Sequence, residues 1–371
     1  MTEDTTMRIS LRGDTARYAG LTDQILESVL EAAEADEFIL KSRTALFETA
    51  FGTELGAAHV VGCASTAGGL LLVLGALGCG PGDEVVVPAW GPQTLSGAVR
   101  RVGALPVPVD VSPEDGAPDA DAVAAAVGPA TRAVLLGPAG SAGTRARLHG
   151  TALRLGVPVV EVNTPAPGHS WPEGVTTVVP LGPDDLLGGI GDAAAVVTDD
   201  EAVARGSRML RNHGQDLNVR FHHLRVGYNC RMDESVAAFL LRQLPSYGVR
   251  STAMRELADR YARGLLSVGP DACVFPAEAC SSPGAGLTLR TAYREQVRTR
   301  LAALGVEAVV PPSAPSDDPA VPPGSAPFPG ARRLGEQALR LPLYPGLAPA
   351  DVDLITGAVA ECVAAQRGVT R

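Results

Sequence analysis

The side chains of this chain that can do chemistry are few and clustered. His169 stands in a polar stretch, with Glu161, Asn163 and Thr164 before it and Trp171 after it, and Asp184-Asp185 follow further on. An imidazole beside a carboxylate is an acid–base pair, because histidine changes charge near neutral pH and the carboxylate orients it. Taken singly, each of these residues reads equally well as part of a polar loop. Covalent chemistry has little to draw on. Lys41 is the only lysine, all the other Lys/Arg positions being arginine, and it reads as a solvated side chain. The six cysteines, at 63, 79, 230, 273, 280 and 362, have no metal-ligand spacing, so no metal site is expected. No Walker loop, His-Glu-x-x-His or Gly-x-Ser-x-Gly is present. Gly188-Gly189-Ile190-Gly191 neither follows a first strand nor opens a crossover helix, which discounts it as a nucleotide site.

The elements that must position these residues alternate. Residues 21–57 have helical spacing in two stretches, and His59–Cys63 reads as a strand. Helices over Leu70–Leu77, Thr94–Val102, Asp119–Val127 and Ala146–Leu155 then alternate with strands over Glu84–Val87, Leu105–Val109, Ala133–Leu136 and Pro158–Val162. A further strand is expected at Val196–Asp200. Such alternation implies a mostly parallel sheet with helices on both faces, whose sites lie at the carboxyl ends of the strands. Beyond about residue 245 the pattern changes. It gives a helix over 253–267, a strand over Leu287–Thr291, a helix near 294–304, a strand near Val306–Val310 and a last helix from 349 to about 366. Two units are expected, a large one over 1–245 and a small C-terminal one over 246–371, with a Pro-, Ser- and Gly-rich loop at 311–331.

Composition narrows the partners. A net charge of -10 argues against nucleic acid and membrane surfaces. The polar, acidic first residues are unlike a signal peptide, and no apolar run approaches the roughly 20 residues of a membrane span. A cytoplasmic protein acting on a small molecule is the expectation.

Several segments match a known pattern in order. They include Phe47-Glu48, Gly80-Pro81-Gly82-Asp83-Glu84-Val85, Thr131-Arg132-Ala133-Val134, Pro158-Val159-Val160-Glu161 and Val196-Val197-Thr198-Asp199-Asp200. The most specific are Leu210-Arg211-Asn212-His213-Gly214 and Gly227-Tyr228-Asn229-Cys230-Arg231-Met232, and Leu341-Pro342-Leu343-Tyr344-Pro345 comes near the end. Over nearly the whole chain this resembles the DegT/DnrJ/StrS sugar aminotransferases. The resemblance implies the α/β, fold-type I aminotransferase-like fold: a mostly parallel central sheet, helices on both faces and a smaller C-terminal α/β domain.

The same resemblance implies pyridoxal phosphate chemistry, whose requirements can be checked. A lysine forms the aldimine, a carboxylate holds the pyridine nitrogen, a small-residue turn at a helix N-terminus cradles the phosphate and an aromatic ring stacks on the pyridine. The lysine position falls within a residue or two of Leu186, and no lysine or histidine stands there. The aspartate position is Val162 and the glutamine position Pro165. The phosphate turn reads Ser65-Thr66-Ala67, and the stacking ring falls near Pro92, two residues after Trp90. In the family an asparagine like Asn229 reaches the phosphate site from the partner subunit.

These departures lead to the expectation of a degenerate member of the family. It would be an enzyme independent of pyridoxal phosphate, using no cofactor, with catalytic His169, Asp185 and Asp184. Substrate would be held by Ser65, Thr66, Trp90, Glu161, Asn163, Thr164, His223, Asn229 and Arg231, in a homodimer whose cleft lies at the interface. The reaction would be cyclisation, dehydration, isomerisation or condensation in specialised-metabolite biosynthesis. The alternatives are a non-catalytic partner of an active aminotransferase and a protein that binds pyridoxamine phosphate non-covalently.

Overall fold

The computed structural model describes residues 8–13, 18–169, 171–275, 286–311 and 328–369. Two helices, α1 (Thr22–Glu34) and α2 (Ser42–Leu55), precede strand β1 (His59–Cys63). Then come α3 (Thr66–Ala76), β2 (Glu84–Pro88), α4 (Thr94–Arg101), β3 (Leu105–Val109), α5 (Ala120–Ala126), β4 (Thr131–Leu136), α6 (Ala142–Arg154) and β5 (Val159–Val162). Local chemistry sets the starts of the helices. Ser65, Asp119, Ser141 and Asp200 each turn a side-chain oxygen onto backbone N–H groups of the first turn that follows them.

Strands β6 (Val175–Pro180) and β7 (Ala194–Thr198) complete a seven-stranded sheet of order β1-β7-β6-β5-β4-β2-β3. Strands β2 to β6 run parallel to one another, whereas β7 is antiparallel to both β6 and β1. The expected mostly parallel sheet is present. Strand β6 has no counterpart in the sequence reading, and the strand expected at Val196–Asp200 ends at Thr198, because Asp200 caps the next helix, α7 (Glu201–Arg211).

Successive residues of each strand point to opposite faces, so the sheet divides the interior. On one face Val61, Cys63, Val160, Val162, Val178 and Val196 pack on α3, α4 and α7. On the other, Val134, Leu136 and Val159 pack on α5 and α6, and Val60, Val179 and Val197 on α2 and α8 (Glu234–Gln243). After α9 (Tyr247–Leu265) come β8 (Ala272–Val274), β9 (Leu287–Thr291), α10 (Arg294–Ala303), α11 (Pro329–Gln337), β10 (Ala338–Leu341) and α12 (Pro349–Val369). The three strands form an antiparallel sheet of order β10-β9-β8. The strand expected near Val306–Val310 is reduced to single bridges, Ile9 with Val306 and Val309 with Arg340. The Pro-rich loop at 311–331 and Cys280 lie largely or wholly outside the described residues. Among the described residues no helix is long and apolar enough to cross a membrane.

Candidate functional site

The residues singled out from the sequence fall into two places on opposite faces of the sheet. Glu161 and Val162 are adjacent on β5 and therefore point apart. Val162 joins the apolar layer under α3, and Glu161 faces α6.

On the α6 face, Arg145 and His149 are four residues apart on one helix side and both reach Glu161. Arg145 Nη1 donates to Glu161 Oε2 at 2.8 Å, His149 Nε2 lies 3.2 Å from the same oxygen, and Thr177 Oγ1 donates to Oε1 at 3.2 Å. Arg145 Nη2 also donates to the Gly137 carbonyl. Burial alone pushes the Glu161 carboxyl up, but the Arg145 charge and the His149 and Asn163 hydrogen bonds outweigh it and lower it from 4.5 to about 2. This cluster floors a cavity of about 540 Å³ lined also by Asn163, Thr164, Pro165, His169, Leu186 and Met254. The loop carrying His169 is pinned on α2, where Gly168 N and Trp171 Nε1 donate to the Glu54 and Leu55 carbonyls. The His169 ring meets Trp171 edge-on at 5.0 Å, and burial pushes its pKa down.

The structure thus brings Glu161, Asn163, Thr164 and His169 together. Arg145 and His149 were missed by the sequence reading. The available signal was a carboxylate inside the apolar strand Val159–Val162, which demands a buried cation, and the Arg-x-x-x-His spacing sixteen residues upstream.

Asp184 and Asp185 do not join His169. Asp184 pairs with Arg12 at 3.0 Å, and Asp185 Oδ2 accepts from Gly182 N at 2.8 Å, closing its own turn. Neither lines the cavity that holds His169, so the expected catalytic pairing is corrected. Trp90 is buried against Phe275, with ring centroids 5.8 Å apart, in a separate cavity of about 260 Å³ shared with Pro92, Arg12 and Arg340.

On the other face, Ser65 N-caps α3 and accepts from Gly68 N at 3.0 Å. The Cys230 thiol sits against this turn: a Cβ on Gly68 would fall 2.3 Å from its Sγ. Cys230 is held low by the Cys63 thiol and by the Ala64 and Ser65 N–H groups, while Cys63 is raised by that shared hydrogen bond and by burial. Residues 212–231 form an arm that folds back on itself. His213 N donates to Tyr228 O at 2.9 Å and Asn212 bridges Asn229. Its base is a three-part node: Arg211 pairs with Glu48 and donates to Gly62 O at 2.7 Å, and Gly62 N donates to Glu48 at 2.9 Å. Asn229 accepts from Arg231 Nε at 3.0 Å, and His223 Nδ1 lies 3.2 Å from the His213 carbonyl. Within this chain these three therefore make contacts inside the arm and do not approach Ser65 or Thr66 as partners. Lys41 is exposed beside the N-terminus of α2, where its N–H donates to Glu234. Among the described residues no group of three or more His, Cys, Asp or Glu could hold a metal.

The chain matches the DegT/DnrJ/EryC1/StrS aminotransferase family over residues 20–360. It is 30% identical to UDP-2-acetamido-2-deoxy-3-oxo-D-glucuronate aminotransferase of Pseudomonas aeruginosa, covering 95% of this chain and 98% of that protein. It is also 30% identical to dTDP-3-amino-3,4,6-trideoxy-alpha-D-glucose transaminase of Streptomyces venezuelae, over 92% of this chain and 93% of that protein. Among solved structures, DesV of S. venezuelae in complex with a ketimine intermediate superposes with a TM-score of 0.85 at 28% identity, covering 96% of this chain and 99% of that one. These relatives, together with the separation of Asp184 and Asp185 from His169, overturn the expectation of an acid–base enzyme independent of pyridoxal phosphate: the kinship is with sugar transaminases along nearly the whole chain. By sequence and by fold, the chain belongs to the DegT/DnrJ/EryC1/StrS aminotransferase family.

Proposed function

We propose that this chain serves sugar transamination as a subunit that completes a cofactor site without holding the cofactor itself. The observation that carries this reading is an asymmetry: the cofactor position has been refilled, and the arm has been kept. Lys41 is the only lysine, and it lines neither the 540 Å³ nor the 260 Å³ cavity. Leu186, at the lysine position implied by the resemblance, is 3% exposed, and Val162, at the carboxylate position, is packed among aliphatic side chains. The α3 turn that should receive a phosphate is instead packed against the Cys230 thiol, whose Sγ would lie 2.3 Å from a Cβ on Gly68. These residues do not fit pyridoxal phosphate.

The arm supports the other half of the reading. Phe221 is 76% exposed and Val226 96%, with Leu217, Val219 and Leu224 exposed beside them, a concentration of apolar surface suited to an interface. In the family a residue like Asn229 crosses to the partner's site. A homodimer would cover the arm but place no lysine in either cleft, so the productive partner is a lysine-bearing chain of the same fold. From the relatives' names, the substrate class is a nucleotide-linked oxo sugar.

The test is amino transfer from glutamate to such a sugar. The chain alone is expected to be inactive and to gain no mass on pyridoxal phosphate and borohydride treatment. Co-expressed with a lysine-bearing family member, it is expected to give a mixed dimer whose activity falls with Asn229→Ala in this chain. Val162→Asp combined with Asp185→Lys or Leu186→Lys is expected to gain a trapped adduct. Transamination by the unmodified chain alone would overturn the reading.

A further inference from the structure

The cavity between α6 and α9 belongs neither to the cofactor position nor to the arm. It lies on the opposite face of β5, although its wall at Leu186 abuts the lysine position implied by the resemblance. At about 540 Å³ it is in the range that takes a drug-sized molecule. Its walls at Leu153, Pro165, Pro172 and Met254 are apolar, and its floor is the Arg145–Glu161–His149 cluster.

We propose that this cavity binds an uncharged, largely apolar small molecule carrying a hydroxyl or carbonyl oxygen. Its charges already cancel. Arg145 faces Glu161 on the floor, and Arg255 and Glu173 bring one charge of each sign to the lining. His169 is half-buried, and its lowered pKa leaves it uncharged at neutral pH. An ion reaching the floor would shed water where Arg145 and Glu161 already neutralise each other, and the other two charges, Arg255 and Glu173, are exposed and screened by water, whereas an apolar body gains from leaving water. The oxygen has waiting partners. Arg145 Nε and Thr164 Oγ1 are buried and have no hydrogen-bond partner among the described residues. A buried unpaired donor is costly, and a small side-chain rotation toward a ligand oxygen would satisfy it. This inference does not depend on the subunit reading, since the two sites meet only at the Leu186 wall and no proposed ligand contact uses it.

The probe is Nile red, an uncharged dye with a carbonyl acceptor, compared with anilinonaphthalene sulfonate, an anion of similar reach. Saturable fluorescence enhancement is expected with Nile red at one site per chain, with the anion about tenfold weaker or worse. Ala146 lines the cavity from the exposed side of α6, and Ala146→Trp is expected to weaken Nile red about tenfold or more with an unchanged melting temperature. Gly150→Leu repeats the block from inside, where a Cβ meets only Arg154 Nη1 at 3.7 Å. Phe221→Asp on the arm is expected to leave binding unchanged, which separates the cavity from the exposed apolar face. Nile red affinity equal in wild type, Ala146→Trp and Gly150→Leu would overturn the proposal, as would tighter binding of the anion at the blockable site.

Discussion

Replacing Arg145 by methionine should do more than remove one ion pair; it should reverse the pH dependence that Glu161 contributes to stability. In the native protein the Arg145 charge and hydrogen bonds lower Glu161 from 4.5 to about 2, against the effect of burial. A carboxyl lowered in this way contributes stability that is complete above about pH 4.5 and is lost as the pH falls toward 2. The lowering corresponds to about 3 kcal/mol. With Arg145 gone, Glu161 keeps its burial, 2% exposed, but loses its main cation. Its pKa should then rise above the unfolded value, so that it destabilises the fold increasingly as the pH climbs. Removing one member of a buried pair costs about 3–5 kcal/mol. Urea unfolding of wild type and Arg145→Met at pH 7 and pH 4 measures the gap. It should be about that size at pH 7 and visibly smaller at pH 4. Arg145→Met with Glu161→Gln should recover part of the loss at pH 7, because no charge is left stranded. A gap that stays constant or widens on acidification, or a double variant as unstable as the single one, would refute the electrostatic account.

Three further outcomes follow from the packing. Glu234, fully buried, accepts the N–H groups of Lys41, Arg43 and Thr44 at the start of α2, so Glu234→Ala should lower unfolding free energy by about 2 kcal/mol, read by urea titration. A Cβ on Gly227 would lie 2.1 Å from Gly214 N, so Gly227→Val should force the arm open, cost about 3 kcal/mol and abolish the proposed association with a lysine-bearing relative, read by sedimentation of the co-expressed pair; unchanged association would show that the fold-back of the arm is dispensable. Phe221→Asp with Val226→Asp should abolish association while moving the stability of the isolated chain by no more than about 0.5 kcal/mol, because both side chains are exposed in it.

The sequence and the structure agree where local pattern decides. Apolar runs such as His59–Cys63 and Leu105–Val109, and the helix beginning at Asp119, were legible because strand period and helix-start chemistry act over a few residues. Strand β6 escaped notice although Val175-Thr176-Thr177-Val178-Val179 is rich in β-branched residues, since it breaks the helix–strand alternation by following β5 without an intervening helix. Val306–Val310 carries strand-like residues but meets only isolated neighbours, a matter of tertiary placement. The site was legible only in part. Glu161, Asn163, Thr164 and His169 were named, but the guanidinium and the imidazole that bind Glu161 lie on α6. The apparent closeness of Asp184 and Asp185 dissolved because each found a local or distant partner elsewhere. Spacing along a chain cannot show on which face of a sheet a residue emerges two elements later.

The reversed strand β7 has a consequence for how the chain acquires its shape. Among the described residues it is the only bridge between β1 and the rest of the large sheet, and its register puts His59 opposite Thr198 and Cys63 opposite Ala194. During synthesis β1 therefore emerges long before its sole neighbour. Val60 and Val61, almost wholly buried at the end, must wait beside α2 and α3 while β2 to β6 are made. Pairings this distant are slow and leave edges open to aggregation. The last strand inserted closes the sheet, and a ribosome stalled before Thr198 would carry an unpaired, sticky β1.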